Sequence, residues 1–541
     1  MKNFLFRRQT NILTAASVIA TAVLASRLLG LIRDRLLTAF PVEELDIYFA
    51  AFRLPDFIFQ VLVMGALTTA FIPVITELIT KHDEERVWKV ASTVLNIALV
   101  GFFILGLGIF IFAEPLSLLI APGFTGEKLA VMANMTRIMI LAQLFFILSN
   151  FLSAIIQSSK RFLLPAIAPV VYNLGIILGI VFLSPSLGIY GAAWGVVIGT
   201  FLHFSVQLPV IGHLKIRYQP IIDIKDQYAM EIGRLMLPRT LGLAVAQINF
   251  TIDTILASLI SASSITVFNF ASHLAQLPIG LFGATIAQAS LPTLSEEQAR
   301  ENPENFKTTL LNSFHQILFL TLPATAILIV LRIPVVRLVF GSKTFPWEAT
   351  VLTGRTLAFF GLGIVAQGLI QLLVRGFYAL RDSRTPVKIG IFSFAVNIMA
   401  SMTAIFIFHL PVWGLALSST IGDLVNVTFL LVSLYKKVRF SLTLLLIPAI
   451  KMFFAALMAG ISLYIPMKLL DQLVFDTTRV MPLIALTGIA SFAGLSVYLF
   501  LTWLLEIKEL SAFTGIIQRI LRWKTSETLP LSPTSTTESP L

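Results

Sequence analysis

The run NILTAASVIATAVLASRLLGLIRDRLL, residues 11–37, decides the class of fold. As a helix it reaches about 40 Å, more than the roughly 30 Å of bilayer hydrocarbon. It is too long for the core of a cleavable signal and it carries Arg27, so it is expected to remain as a first membrane span. A cation at the centre of a span costs about 2.5–3.5 kcal/mol on insertion scales. The next apolar run, residues 47–75, carries Arg53 in the same predicament. Neither arginine is expected to face lipid; both should face an interior cavity.

Working outward, 57% hydrophobic and 12% charged residues exclude an ordinary soluble domain. Fourteen apolar runs are long enough to span. They fall near 11–37, 47–76, 88–113, 131–158, 163–183, 187–210 and 229–260, then near 264–294, 308–331, 350–379, 386–408, 411–435, 446–467 and 480–505. The expected fold is all-α and polytopic. Of the 39 Lys and Arg, 27 fall on the side of the two termini and 10 on the other, which places both termini in the cytoplasm. That bias, with anionic lipid headgroups, accounts for the net charge of +11 without nucleic acid. The chain has no cysteine, which removes disulfides and thiolate chemistry, and its six histidines show no metal-ligand spacing. It has no P-loop either, so ATP is not a direct energy source. The tail from Thr525 is rich in Ser, Thr and Pro and reads as disordered.

The sequence repeats itself. A shift of 219 aligns Asp34 with Asp253, Phe49 with Phe268 and Pro73-Val-Ile-Thr-Glu77 with Pro292-Thr-Leu-Ser-Glu296. A shift of 223 or 224 aligns Asn173 with Asn397 and the stretch 191–199 with 414–422. The expected plan is an N-lobe of six helices over 1–225, a parallel-repeated C-lobe of six over 226–440, two further helices over 441–507 and a cytoplasmic tail over 508–541. The groove between lobes is the expected substrate path.

Arg27, Gly30 and Asp34 fall at i, i+3 and i+7, with Arg33 turned away from that face. Asp46, Phe49 or Ala50, and Arg53 repeat the spacing, and Pro55 should loosen the backbone just beyond. Arginine's planar fork suits phosphate oxygens, so a phosphate-bearing ligand is expected. The alternative is that Arg27 with Asp34, or Arg53 with Asp46, only fixes helix packing. In the matching hairpin FNFASHLAQLPIGLFG, residues 268–283, His273 and Gln276 precede Pro278. His273 reads either as a cavity cation or as a neutral ring bonded to a neighbouring helix. Asp253 and Asp423 are carboxylates within spans and Asn397 an amide, a set suited to a hard cation, a proton or a packing hydrogen bond.

The stretches Ser26 to Asp34 (SRLLGLIRD), Asp46-Ile-Tyr-Phe, Ala51-Phe-Arg-Leu-Pro55, Gly65-Ala-Leu and Phe71-Ile-Pro73 resemble the N-terminal signature of the MurJ (MviN) lipid II flippase family, of the multidrug, oligosaccharidyl-lipid and polysaccharide exporter superfamily. Lys160-Arg-Phe162, LPIGLFG, SLPTLS and the stretch 376–386 agree with it. The resemblance implies a bacterial inner-membrane transporter, not an enzyme, that moves the undecaprenyl-pyrophosphate-linked peptidoglycan precursor to the outer leaflet by alternating access. It also implies a cationic cavity lined by spans 1, 2, 7 and 8, a lipid-tail groove on spans 13 and 14, a monomer, and association with the cell-wall synthesis machinery. By position, Arg27, Arg33, Asp46 and Arg53 match family site residues. His273 stands where an arginine is usual, Gln276 at a frequently acidic place, Phe59 and Gln60 where a further arginine is common, and Met64 where Glu is frequent. Asp253 and Asn397 match a sodium site proposed for some members, with Ser401 in place of a second carboxylate, so Na+ or membrane-potential coupling is expected and no other cofactor. Two other transporters fit the same groove: a flippase for another polyprenyl-linked polysaccharide unit, and a multidrug/cation antiporter. The antiporter should carry acids where Arg27 and Arg53 stand.

Overall fold

The computed structural model describes residues 12–64, 70–214, 216–477 and 479–511. The Gly65-Ala-Leu motif and the tail from Thr525 lie outside them. Among the described residues every regular element is a helix. Eleven are long and apolar enough to cross a membrane. They are α5 (Glu84–Ile111), α6 (Glu127–Ser158), α7 (Leu163–Leu187), α8 (Ile189–Leu214), α10 (Ser264–Ala299), α11 (Pro303–Val330), α12 (Trp347–Ala379), α13 (Arg384–Ile407), α14 (Trp413–Val438), α15 (Leu442–Leu473) and α16 (Val480–Leu504). Helices also stand at the three other expected places: α1 (Ile12–Leu37), the broken run of α2 (Val42–Ala51), α3 (Arg53–Phe59) and α4 (Ile72–Thr80), and α9 (Gln227–Ile260). The chain is thus an all-α, multi-pass membrane protein.

These segments are helical because hydrocarbon offers no partner for backbone N–H and C=O groups, which a helix satisfies internally. Side-chain caps appear where helices start at the basic-loop side: Asp83 accepts from Arg86 N, Asp226 from Tyr228 N and Ala229 N, Asn302 from Asn305 N, and Ser441 from Leu444 N. α2 gives way to α3 at Phe52, just ahead of Pro55, which has no N–H to carry the ladder through.

The repeat is visible in the backbone. π-helical turns occupy Gln60–Met64 and Ile279–Gly283, 219 residues apart, and Gly179–Leu183 and Thr403–Ile407, 224 apart. These are the shifts found in the sequence. Side-chain packing follows suit: Asn173 of α7 reaches Gly30 of α1, and Asn397 of α13 bonds Asn249 of α9, at 30 + 219.

Contacts divide the chain into two compact units. One takes the chain through Gln276 with Arg332–Gly363 and Arg384–Thr428. In it α7 and α8 meet through glycine: a Cβ on Gly175 would lie 2.3 Å from Gly199 Cα, and one on Gly179 2.2 Å from Gly195 Cα. Small residues let backbones approach where lipid gives no hydrophobic drive to association. The other unit takes Leu277–Leu331, Ile364–Ser383 and Phe429 onward. There α15 and α16 pack on each other and on α11, with the Tyr498 hydroxyl donating to Phe319 O at 2.8 Å. Phe453, Leu457 and Phe492 stay exposed on these helices.

Candidate functional site

Every site residue named from the sequence lies in the first unit. Its centre is Asp34, 2% exposed. Arg33 Nε and Nη2 both donate to Asp34 Oδ1, at 2.9 and 2.7 Å, and His273 Nδ1 lies 3.0 Å from Oδ2. Arg33 Nη1 donates to Asn173 Oδ1 at 3.2 Å, and Asn173 Nδ2 is anchored on Ser26 and on Pro169 O. Arg33 is therefore not turned away from Asp34 as the helical wheel suggests. Its long stem curls back because a partly buried guanidinium needs a counter-charge and the adjacent carboxylate supplies it. His273 joins α10 to α1, and Phe49 of α2 sets its ring edge-on to both Phe270 and His273.

Arg27 is two turns away from this cluster. It lines a cavity of about 500 Å³ with Ser26, Gln157, Phe162, Pro165 and Pro169. Among the described residues neither Arg27 nor Arg53 is ion-paired, and the pairs with Asp34 and Asp46 that the alternative reading required do not form. Arg53 Nη2 instead donates to Asn269 Oδ1 at 2.8 Å, while Asn269 Nδ2 donates to Ile265 O. Arg53 Nε is buried and has no partner. Asp56 and Asp253 are near enough to act on Arg53 electrostatically.

Asp46 is 2% exposed and both its oxygens are engaged by the start of α10. Oδ2 accepts from Ser263 N at 2.8 Å; Oδ1 accepts from Thr266 N at 2.7 Å and Thr266 Oγ1 at 2.6 Å. A carboxylate suits unpaired N–H groups and the positive end of a helix dipole. Further contacts lie at the same ends of the helices, away from the basic loops. Lys128 pairs with Glu43 at 2.6 Å, Ser342 and Thr344 donate to Thr38 O, and Gly123 N donates to Ser258 Oγ.

Asp253 is 3% exposed and within electrostatic reach of Arg53 and Asp423. Asn397 Nδ2 donates to Asn249 Oδ1 at 3.1 Å and Ser401 Oγ to Asn397 Oδ1 at 3.3 Å. Gln276 lies on α10 in an exposed position, and Phe59 is buried against Phe146. Sequence reading missed Asn269, Thr266 and Asn249. A lone Asn within an apolar span was the available signal for two of them.

The family profile "Lipid II flippase MurJ" matches residues 42–481. The lipid II flippase MurJ of Burkholderia cenocepacia is 30% identical over 442 residues, covering 79% of this chain and 84% of that protein. Among solved structures, "Lipid II flippase MurJ, inward closed conformation" superposes with a TM-score of 0.74 at 24% identity, covering 89% of this chain and 98% of the other. An inward-facing multidrug resistance MATE family transporter of the MOP superfamily gives 0.64 at 17% identity, covering 76% and 94%. At these identities the structures speak for the fold, and the profile for descent: this chain belongs to the lipid II flippase MurJ family.

Proposed function

We propose that the chain is a transporter, not an enzyme, that flips lipid II from the inner to the outer leaflet of the bacterial cytoplasmic membrane, with both termini in the cytoplasm. One observation carries the reading beyond family membership: of the arginines Arg27, Arg33 and Arg53, only Arg33 is ion-paired among the described residues. Membrane arginines without a carboxylate partner are expensive unless a ligand supplies the counter-charge, and a pyrophosphate does so in the bidentate geometry guanidinium favours.

The barrier to flipping is desolvation of the charged headgroup. Arg27, Arg53 with its spare Nε–H, and His273 replace water around the phosphates, while the isoprenoid tail stays in lipid along α15 and α16. Asp46 on the α10 start closes the outer end. Alternating access then requires that this carboxylate leave Ser263 and Thr266 as the inner end closes.

Coupling to Na+ fits the residues present. Asp253, Asn249, Asn397 and Ser401 offer hard oxygen donors, and Ser393 Oγ and Asn426 Oδ1, on the neighbouring α13 and α14, are buried without partners. When bound there, Na+ would neutralise Asp253. The membrane potential is a second source, at about 2.3 kcal/mol per elementary charge per 100 mV. The protein is expected to act as a monomer alongside the cell-wall synthesis machinery.

Binding of lipid II, of an undecaprenyl-pyrophosphate-linked surface polysaccharide unit and of a cationic drug to the purified chain tests the substrate class. Preference for lipid II, weakened at least tenfold by Arg53→Ala, is expected. Preference for either competitor would replace the assignment.

A further inference from the structure

The linker 216–226, between α8 and α9, does not hang in solvent. It runs along α5, where three polar side chains, Ser92, Thr93 and Asn96, take up its backbone. Ser92 Oγ accepts from Gln219 N at 3.0 Å and Thr93 Oγ1 from Asp223 N at 3.3 Å; Asn96 Nδ2 donates to Gln219 O at 3.1 Å and Ile221 O at 2.9 Å. The Tyr218 hydroxyl completes the set by donating to Asn96 Oδ1 at 2.8 Å. These α5 residues lie about 12–18 Å along the helix from its first residue, Glu84. The contacts hold the linker on the helix at Gln219, Ile221 and Asp223. Beside the exposed Arg217 and Lys225 the linker presents outward Tyr218, Ile222 and Ile224, 59%, 50% and 65% exposed, apolar side chains of the kind that lipid accepts better than water.

Behind the linker lies a pocket of about 390 Å³, walled by Trp88, Leu95 and Leu99 of α5, Leu148 and Phe151 of α6, and Ile211 of α8. Its one charged lining residue is Arg217, which is exposed and makes no hydrogen bond or ion pair with another described residue. The neighbouring cations differ: Lys89 is paired with Asp223 and Arg86 with Asp226. An apolar slot with an unpaired guanidinium at its mouth complements an acyl chain attached to a phosphate, and basic pockets on the cytoplasmic side of spans favour anionic headgroups.

We infer that this pocket binds one anionic phospholipid of the leaflet on the basic-loop side, with an acyl chain between α5, α6 and the linker and its headgroup phosphate on Arg217. The site is separate from the arginine cluster. It ties a lipid to the linker that joins the two sequence repeats.

Trp88 reports on the pocket directly. With the other five of the six tryptophans changed to Phe, the full chain is placed in phosphatidylethanolamine vesicles containing a small fraction of phosphatidylglycerol brominated on its acyl chains. Trp88 fluorescence should be quenched several-fold more than by the same fraction of brominated phosphatidylethanolamine, and Arg217→Gln should bring the two to equality. Equal quenching by both lipids, quenching unchanged by Arg217→Gln, or preferential quenching by a brominated polyprenyl lipid would each overturn the inference. Native mass spectrometry of the chain with all its tryptophans gives a second reading: one retained phosphatidylglycerol, lost in Arg217→Gln, supports the site, and retention unaffected by that change contradicts it. Both measurements read binding without requiring flipping.

Discussion

Asp34 is shared by Arg33 and His273: one carboxylate oxygen takes two donors from the arginine and the other faces the histidine Nδ1 at 3.0 Å. Neighbours on α1 are thereby tied to α10, 239 residues later. Asp34→Ala should leave the partly buried Arg33 guanidinium without its counter-ion, at roughly 3 kcal/mol or less. Thermal unfolding in detergent should show a clear fall in midpoint, and Asp34→Asn a smaller one. Equal stability of Asp34→Ala and the native chain would mean that the cluster does not hold these helices.

Asp46 caps the start of α10, and in the proposed cycle this contact holds the outer end closed. Asp46→Asn turns an amide N–H₂ toward the Ser263 and Thr266 N–H groups and should weaken the cap by about 1 kcal/mol or more. The chain has no cysteine, so a cysteine at Phe49 is a unique label site. Its modification by a membrane-impermeant maleimide from outside should rise several-fold in Asp46→Asn. No rise would remove Asp46 from the seal.

Much of this was legible in the sequence, for definite reasons. Arg27 and Arg53 stood out because charge within a span is costly, and the repeat was visible because Asp34 and Asp253, or Asn173 and Asn397, keep their spacing. The π-turns then fell at the same shifts of 219 and 224. The partners of those charges were not legible. Asp46 and Arg53 share a helical spacing, yet Asp46 serves Ser263 and Thr266, and Arg53 serves Asn269. Which chain end arrives beside which helix is a tertiary fact that periodicity does not contain. Likewise Ser92, Thr93 and Asn96 look like ordinary polar residues near a span end until the linker is laid against them.

Glycine packing between α7 and α8 gives a test of the fold with its own control. A Cβ on Gly175 meets Gly199 Cα at 2.3 Å, whereas one on Gly108 of α5 meets nothing within 4 Å. Gly175→Ala should destabilise by about 1–3 kcal/mol through backbone overpacking. Gly108→Ala should be neutral or slightly stabilising. Comparable unfolding midpoints for the two would contradict the close approach of α7 and α8.

The linker should loosen in acid. Asp223 is held below the usual carboxylate range, first by its hydrogen bond from Lys89 and then by the Lys225 backbone N–H. A carboxylate depressed in the folded state stabilises it above the ordinary Asp range, and that contribution is lost as pH falls through the depressed value. Hydrogen exchange over 216–226 should therefore quicken as pH drops below about 4 relative to the intrinsic rate. Lys89→Met should flatten that dependence, and an unchanged profile in Lys89→Met would remove the pair from the linker's anchorage.

The most direct measurement is rescue of a bacterium depleted of its own lipid II flippase, scored by lipid II accessible at the outer face, with Arg27→Ala and Arg53→Ala expressed at equal levels beside the native chain. The account predicts that the native chain restores outer-face lipid II and growth, and that each arginine variant, though inserted, does not. Full rescue by both variants, or none by a correctly inserted native chain, would contradict a lipid II flippase that holds its pyrophosphate on membrane arginines.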